Sequence, residues 1–442
     1  MAFDEALSYL EGLGIDAMKA TSPSLHRIRA LCDSMGNPEK TLRCIHITGT
    51  NGKTSTARLA SSLLAATGLS VGTYTSPHLE SMCERIARAE DPISESEFGE
   101  VFAHLRPFLE LVEKRLDEKL TYFEVLTGLF FLWAAEAGLD AAVVEVGLGG
   151  RWDATNVIDS SVAVITNIGL DHTALLGGDK KVIAKEKAGI IKEDSVTVSA
   201  ERTPEIVEVI RAEALRVGAE VSFMNDGWEL LENSVAVGGR FLSIRASFDE
   251  YEGLLLPLHG AHQGVNAALA LEAVGRFLPA RGLAQELVQQ GLSGAVVPGR
   301  LEAVRSDGTV YPTVVLDVAH NPDGVSALVR SLIEEFAFDR VHFVVGVLQD
   351  KDHRGMLAEL SRVPCTVTTT TPRGVRAIEA SELTSTGREL GLECETVDDP
   401  TEAITRAVHN AGPGEIVCVT GSHYVVGEIR RTVIAAAGKV SP

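Results

Sequence analysis

The run Thr48-Gly49-Thr50-Asn51-Gly52-Lys53-Thr54-Ser55 joins turn-permissive glycines to a lysine followed by two hydroxyl residues. Placed between a strand and a helix, such a run turns backbone N–H groups toward an anion, and the helix N-terminus adds its dipole. Lys53 can then reach the outer phosphates of a nucleotide, and the Thr54 hydroxyl can ligate Mg²⁺. Thr50, Asn51, Gly52 and Ser55 complete the cradle. The match to the usual GxxxxGK[ST] pattern lacks its first glycine, because Ile47 stands there.

Further chemistry-bearing residues follow apolar runs. Glu145 ends the run AAVVE and opens Gly147-Leu148-Gly149-Gly150-Arg151. A carboxylate there is costly to bury unless it is paired or bound to a cation. Two readings stay open, a cation ligand or a structural Glu held by the N–H groups of the glycine loop. His172 follows VAVITNI on the same rim, near Asn167 and Asp171. It suits Mg²⁺ only alongside oxygen ligands. Lys185 and Lys187 flank Glu186 in AKEKAG, and residue chemistry alone does not separate the two lysines.

These residues need a scaffold that gathers strand ends, and the pattern supplies one. Short β-branched runs alternate with longer amphipathic ones, the signature of βαβ architecture. Strands are expected at Arg43 to Thr48, Val71 to Thr75, Ala141 to Val146, Val162 to Ile168 and Ser195 to Ser199, and helices at Lys53 to Ala66, Tyr122 to Ala137 and Asp179 to Ile191. Gly238-Gly239 between apolar runs reads as a hairpin within Val235 to Ile244. The alternation restarts after Pro298-Gly299, with strands at Thr313 to Asp317, Val341 to Val347, Thr366 to Thr370 and Glu415 to Thr420. Helices begin near Asp323, Ser381 and Pro400. The chain therefore divides into two α/β domains, 1–297 and 298–442.

Composition narrows the classes. The 442 residues carry 40 Lys and Arg against 61 Asp and Glu, a formal charge of −21. That balance argues against a nucleic-acid surface and requires any anionic ligand to be held by a local pocket. No apolar stretch approaches the ~20 residues that span a bilayer. The acidic start MAFDE does not suit a signal peptide. Six scattered cysteines without a CxxC pair point to reduced thiols in a cytoplasmic protein.

The runs HITGTNGKTST, TSPHL, FEVLTGLFF, VEVGLGGRWDATN, LDHTALLG and IAKEKAGIIK resemble those of the folylpolyglutamate synthase/dihydrofolate synthase family, within the Mur ligase superfamily. GAHQGVNAALA, PGRLE, DVAHNPDG, GVLQDKD and GSHYVVGE continue the likeness in order. The resemblance implies a P-loop-type Mur ligase ATPase domain over 1–297 and a smaller Rossmann-like α/β domain over 298–442. It implies that Lys53 and Thr54 hold the ATP phosphates and Mg²⁺, with Ser76, Glu145 and His172 as further metal ligands. Lys187 matches a lysine that family members carry as a carbamate, able to serve a second Mg²⁺. Asn266, Arg300, Asp317 and His320 match positions that contact the nucleotide from the second domain. The Gly149 to Asn156 loop, with Trp152, Asp153 and Ala154, borders the implied pterin pocket. Arg27 resembles another pterin-side position, and Arg85 and Ser422 match the glutamate side. Lys53, His172 and Lys187 form the implied catalytic set.

Three positions depart from the family pattern. The phosphate loop reads GKT, closer to the muramyl-peptide enzymes. Trp152 replaces a common Leu beside Asp153, and His423 replaces a commonly apolar residue. The implied reaction is ATP- and Mg²⁺-dependent ligation of L-glutamate to dihydropteroate, to the glutamate tail of folates, or to both, through an acyl phosphate. The alternatives are a single-activity folylpolyglutamate synthase or another Mur-type amide ligase. A muramyl-peptide ligase is disfavoured because little chain precedes the phosphate loop. The implied partners are small molecules, with no nucleic acid and no membrane, and the implied state is a monomer.

Overall fold

The run Cys44–Thr48 is buried at every position, so it can only be an internal strand, and it is the centre of the first sheet. The computed structural model describes residues 2–14, 24–171, 173–280, 282–304, 312–373 and 376–438. Its first sheet comprises β1 (Cys44–Thr48), β2 (Val71–Tyr74), β3 (Ile86–Arg88), β4 (Asp91–Pro92), β5 (Ala141–Glu145), β6 (Val162–Ile165), β7 (Val196–Ser199), β8 (Glu220–Met224), β9 (Gly227–Ala236), β10 (Gly239–Arg245) and β11 (Glu250–Leu256). The order is β11-β10-β9-β8-β7-β6-β1-β5-β2-β3-β4. β2, β5, β1, β6, β7 and β8 run parallel, while β3–β4 and the β9–β11 meander add antiparallel edges. The hairpin expected within Val235 to Ile244 forms, with Val237-Gly238 as its turn and Gly239 already in β10 opposite Ala236.

A second sheet holds β12 (Glu302–Val304), β13 (Val314–Leu316), β14 (Arg340–Val345), β15 (Cys365–Thr369), β16 (Cys394–Thr396) and β17 (Glu415–Thr420). Its order is β12-β13-β17-β14-β15-β16, parallel except for β12. Helices cover both sheets, and each face has its own apolar core. The small-residue helix Ala261–Phe277 packs closely on the helix Lys53–Ala66 above β1. All six cysteines are free, and among the described residues no helix is long and apolar enough to cross a membrane.

One strand and one helix stop short of their expected ends. β6 ends at Ile165, and Thr166 to Gly169 leave the ladder to brace the phosphate loop. The helix expected over Asp179 to Ile191 runs Lys180–Lys187 and tightens to a 3₁₀ turn at Ala188–Ile190.

Side-chain ties join the two sheets' units. Arg240, 1% exposed on β10, pairs with Glu335 and Glu334 at the end of the helix Pro322–Glu335. Glu335 also accepts from the Gly260 amide at 2.7 Å and lies 2.9 Å from His259 Nδ1. On another side, Glu80 receives Arg431 at 2.7 Å and Arg430, which also reaches Glu302 at 2.7 Å. Breaking a buried pair by removing one partner costs about 3–5 kcal/mol, because the other charge is stranded. Arg240→Met is therefore expected to lower the thermal midpoint clearly below wild type. An unchanged midpoint would show that Gly260 and His259 satisfy Glu335 without Arg240.

Candidate active site

The loop after β1 owes its shape to contacts no side chain could replace. Gly49 has φ +150, and a Cβ there would lie 1.7 Å from Thr166 Oγ1. The Thr50 amide donates to Asn167 O at 2.9 Å, the Asn51 amide to Asn167 Oδ1 at 3.0 Å, and the Thr166 hydroxyl to Asn51 O at 2.6 Å. Gly52 has φ +82, and Asn266 packs against it so tightly that a Cβ would meet its Oδ1 at 2.6 Å. The helix starts at Lys53, whose ammonium folds back to Gly49 O at 3.2 Å and Thr50 O at 3.1 Å. Burial lowers its pKa, which Glu145 and Asp171 partly offset.

Glu145 sits at the end of β5, beside Ile47 of β1, and is 1% exposed. The Thr54 hydroxyl donates to it at 3.0 Å and the Ser76 amide at 3.1 Å. Burial raises its pKa, with Lys53 the main opposing influence. Of the two lysines that chemistry could not separate, Lys185 is exposed and Lys187 is 5% exposed. The Lys187 ammonium donates to Gly49 O at 2.7 Å, behind the loop. Burial and the nearby Lys53 charge push its pKa down to about 7.

A cavity of about 860 Å³ opens beyond these strand ends, with the second sheet's loops as its opposite wall. Thr50 to Ser55, Ser76, Arg85, Glu145, Asp153, Asn266, Arg300, Asp317, His320 and Ser422 all contribute to its lining. Asp317 accepts from the Leu301 and Ala319 amides at 2.9 Å each. His320 Nδ1 meets Val318 O at 2.9 Å, which makes Nδ1 the donor, and its Nε2 lies 3.4 Å from Asp171. Ser422 caps the helix His423–Gly438 by accepting from the Val425 amide at 3.2 Å. Arg85 donates through Nε to His78 Nδ1 at 2.9 Å and lies over the Tyr122 ring.

Other expected residues lie elsewhere. Arg27 turns inward, its Nε on Glu124 at 3.0 Å and a terminal nitrogen on Glu118 at 3.3 Å, so it braces the helix Tyr122–Glu136 and does not line the cavity. Trp152 is half-exposed outside the cavity wall, and Ala154 is buried under the loop. Asp153 clamps that loop, accepting from the Leu148 amide at 2.9 Å and the Thr155 amide at 3.0 Å. His172 lies outside the described residues. Among those residues no cluster of three or more His, Cys, Asp or Glu could hold a metal alone. The donors at hand are hard oxygens, Thr54, Ser76 and Glu145, and these suit Mg²⁺.

Several cavity residues escape sequence reasoning. Lys351 reaches Asp171 at 2.6 Å, and Asn321 meets Asn51 at 3.0 Å, both joining the second sheet's unit to the phosphate-loop side. His262 and Tyr122 also line the cavity, and His78 holds Arg85 from behind its wall. Lys351 lies within GVLQDKD, but nothing in its spacing indicates that it meets Asp171, 180 positions earlier.

Residues 47–274 match the Mur ligase middle domain and residues 299–423 the Mur ligase glutamate ligase domain. The chain is 40% identical over 439 residues to the dihydrofolate synthase/folylpolyglutamate synthase of Mycobacterium tuberculosis, covering 92% of this chain and 89% of that one. A solved structure of Mycobacterium tuberculosis folylpolyglutamate synthase complexed with ADP matches with a TM-score of 0.92 at 38% identity, over 98% of each chain. The bifunctional folylpolyglutamate synthase/dihydrofolate synthase from Yersinia pestis, solved with AMPPNP and Mn ion, matches at 0.84 and 31% identity over 98% of each chain. With a glycine-stapled phosphate loop, a buried carboxylate beside it and a second α/β unit across the cavity, the chain belongs to the dihydrofolate synthase/folylpolyglutamate synthase family of Mur ligases.

Proposed function

We infer that the chain is an ATP- and Mg²⁺-dependent ligase that adds L-glutamate to dihydropteroate and to the glutamate tail of folates. The observation that carries this reading is the meeting of Lys53, Thr54 and Glu145 with Arg300, Asp317 and His320 around one cavity. Carboxylates resist amines at neutral pH, so the acceptor carboxylate must first be activated. A carboxylate oxygen attacks the ATP γ-phosphorus and ADP departs, leaving an acyl phosphate. The glutamate amine, having lost a proton, then attacks the acyl carbon, and phosphate leaves as the amide forms.

Lys53 faces the charge that develops on the transferring phosphoryl group. Mg²⁺, when bound, supplies further charge neutralisation there, and Thr54, Ser76 and Glu145 are the residues that would hold it. Arg300, Asp317 and His320 take the nucleotide from the second unit, whereas Asn266, which packs on Gly52, takes it from the phosphate-loop side and not from the second domain as the resemblance implies. The glutamate and the acceptor tail fall to Arg85 and Ser422. Tyr122 and Phe123 offer an aromatic wall to a flat acceptor, beside the loop that Asp153 clamps. Contacts between the two units, Asn51 with Asn321 and Asp171 with Lys351, keep water from the intermediate. We assign residues 1–297 and 298–442 as the two domains, and the cytoplasm as the compartment, consistent with six free thiols. The charge of −21 fits a monomer acting on small molecules, without nucleic-acid or membrane partners.

We also assign Lys187 as the site of a carbamate. Its position behind the loop and its lowered pKa favour the neutral amine, whose lone pair attacks CO₂ while one N–H proton passes to water. Carbon-13 NMR with labelled bicarbonate should show a carbamate signal in wild type and none in Lys187→Met. A signal that survives the substitution would place the modification elsewhere.

Purified protein with Mg-ATP and L-glutamate should release ADP with dihydropteroate and with tetrahydrofolate, each product gaining one glutamate. Release with only one acceptor would reduce the enzyme to a single activity, and release independent of both would sink the substrate assignment. Glu145→Gln removes a charge from the metal site. It should raise the Mg²⁺ concentration needed for half-maximal ADP release by about 10–100-fold, the scale seen when groups supporting a metal are lost. An unaltered Mg²⁺ dependence would make Glu145 purely structural.

A further inference from the structure

Arg300 enters the cavity from the connection between the two units, directly after Gly299. Its guanidinium makes two protein contacts among the described residues. Nη1 touches its own neighbour's carbonyl, Gly299 O, at a long 3.4 Å, and Nη2 donates to His423 Nε2 at 3.1 Å. No carboxylate forms an ion pair with it among the described residues. Asp317 and Glu145 act on it through their charge without a hydrogen bond, so the direction of the guanidinium depends on a neutral acceptor, and His423 is that acceptor.

The ring can play this part because of where it sits. A guanidinium only donates, so Nε2 must present its lone pair and Nδ1 must carry the hydrogen. A protonated imidazole would lose that lone pair and repel Arg300. Burial, together with the Arg300, His320, Lys53 and Lys351 charges, keeps His423 unprotonated, well below the usual histidine range. The His320 ring lies 5.4 Å away, centroid to centroid. The support is also rigid. His423 begins the helix His423–Gly438, which Ser422 caps and which Arg430 and Arg431 tie to Glu80.

We propose that His423 is a positioning residue that aims the Arg300 guanidinium at the nucleotide phosphates. The proposal rests on the nucleotide role assigned to Arg300 above. A leucine at this position would fill similar space but leave Nη2 without a protein acceptor, whereas glutamine can supply a carbonyl oxygen.

The test is equilibrium binding of ADP and AMPPNP to the full chain, in wild type, His423→Leu, His423→Gln, Arg300→Met and the Arg300→Met/His423→Leu pair. His423→Leu should weaken AMPPNP binding about tenfold, the scale of one hydrogen bond to a charged group. His423→Gln should restore binding to within about threefold of wild type, since the acceptor is replaced. In the Arg300→Met background, His423→Leu should add almost nothing, because the two act as one unit. Unchanged binding in His423→Leu, failure of glutamine to restore it, or a full loss repeated in the Arg300→Met background would each overturn the proposal. None of these measurements needs an acceptor. Intact coupling without acceptor-dependent ADP release would therefore count against the folate assignment alone, and additive losses with normal release would count against the role of His423 alone.

Discussion

A buried carboxylate at the end of a central strand sets the terms for everything around it. Glu145 has lost its water, and its charge is tolerable only through the Thr54 hydroxyl, the Ser76 amide and the nearby Lys53. Those partners come from two separate loops, so meeting the needs of one side chain fixes how the loops after β1 and β2 stand to the end of β5. The same demand holds Lys53 close, and Lys53 in turn lowers the proton affinity of Lys187 behind the loop.

The second constraint is one of sign. The chain as a whole carries −21, and the cavity sets Lys53, Arg85, Arg300 and Lys351 among carboxylates such as Glu145, Asp171 and Asp317. Net charge repels nucleotides and polyglutamates at long range, but this is screened within about 10 Å at ordinary salt. Inside the cavity, an anion is held only where a cation and loop amides stand close, as at Lys53 and the phosphate loop, and elsewhere on the wall it meets carboxylates.

How much was legible follows from which signals are local. The strand–loop–helix around Lys53 could be read directly, since burial at every position of Cys44–Thr48 and the glycine spacing are both written in adjacent residues. Glu145 was visible as an acid ending an apolar run, though nothing local to it shows that its partners are the Thr54 hydroxyl and the Ser76 amide. The choice between Lys185 and Lys187 rests on helix phase, which buries one and exposes the other. The helix Glu95–Leu116 went unassigned, because Pro107 within it reads locally as a breaker. The helix Ala261–Phe277 also escaped, since a run of small residues buried on nearly all sides lacks an amphipathic period. Arg27 shows the limit of motif likeness, as its two glutamate partners lie about ninety positions away and draw it into the core. Contacts such as Asp171 with Lys351 are set by how two separately folded sheets meet, and no window of sequence contains that.

The helix Pro322–Glu335 is held at both ends by the other unit. Its N-cap, Asn321, meets Asn51 of the phosphate loop, and its last residue receives Arg240 from β10. Fourteen residues at 1.5 Å each make a rod about 21 Å long. A rod fastened at two points can neither slide nor tilt, and the ties of Glu80 to Arg430 and Arg431 oppose a turn about its own long axis as well, so the phosphate loop and the far edge of its sheet meet the second unit through one stiff strut.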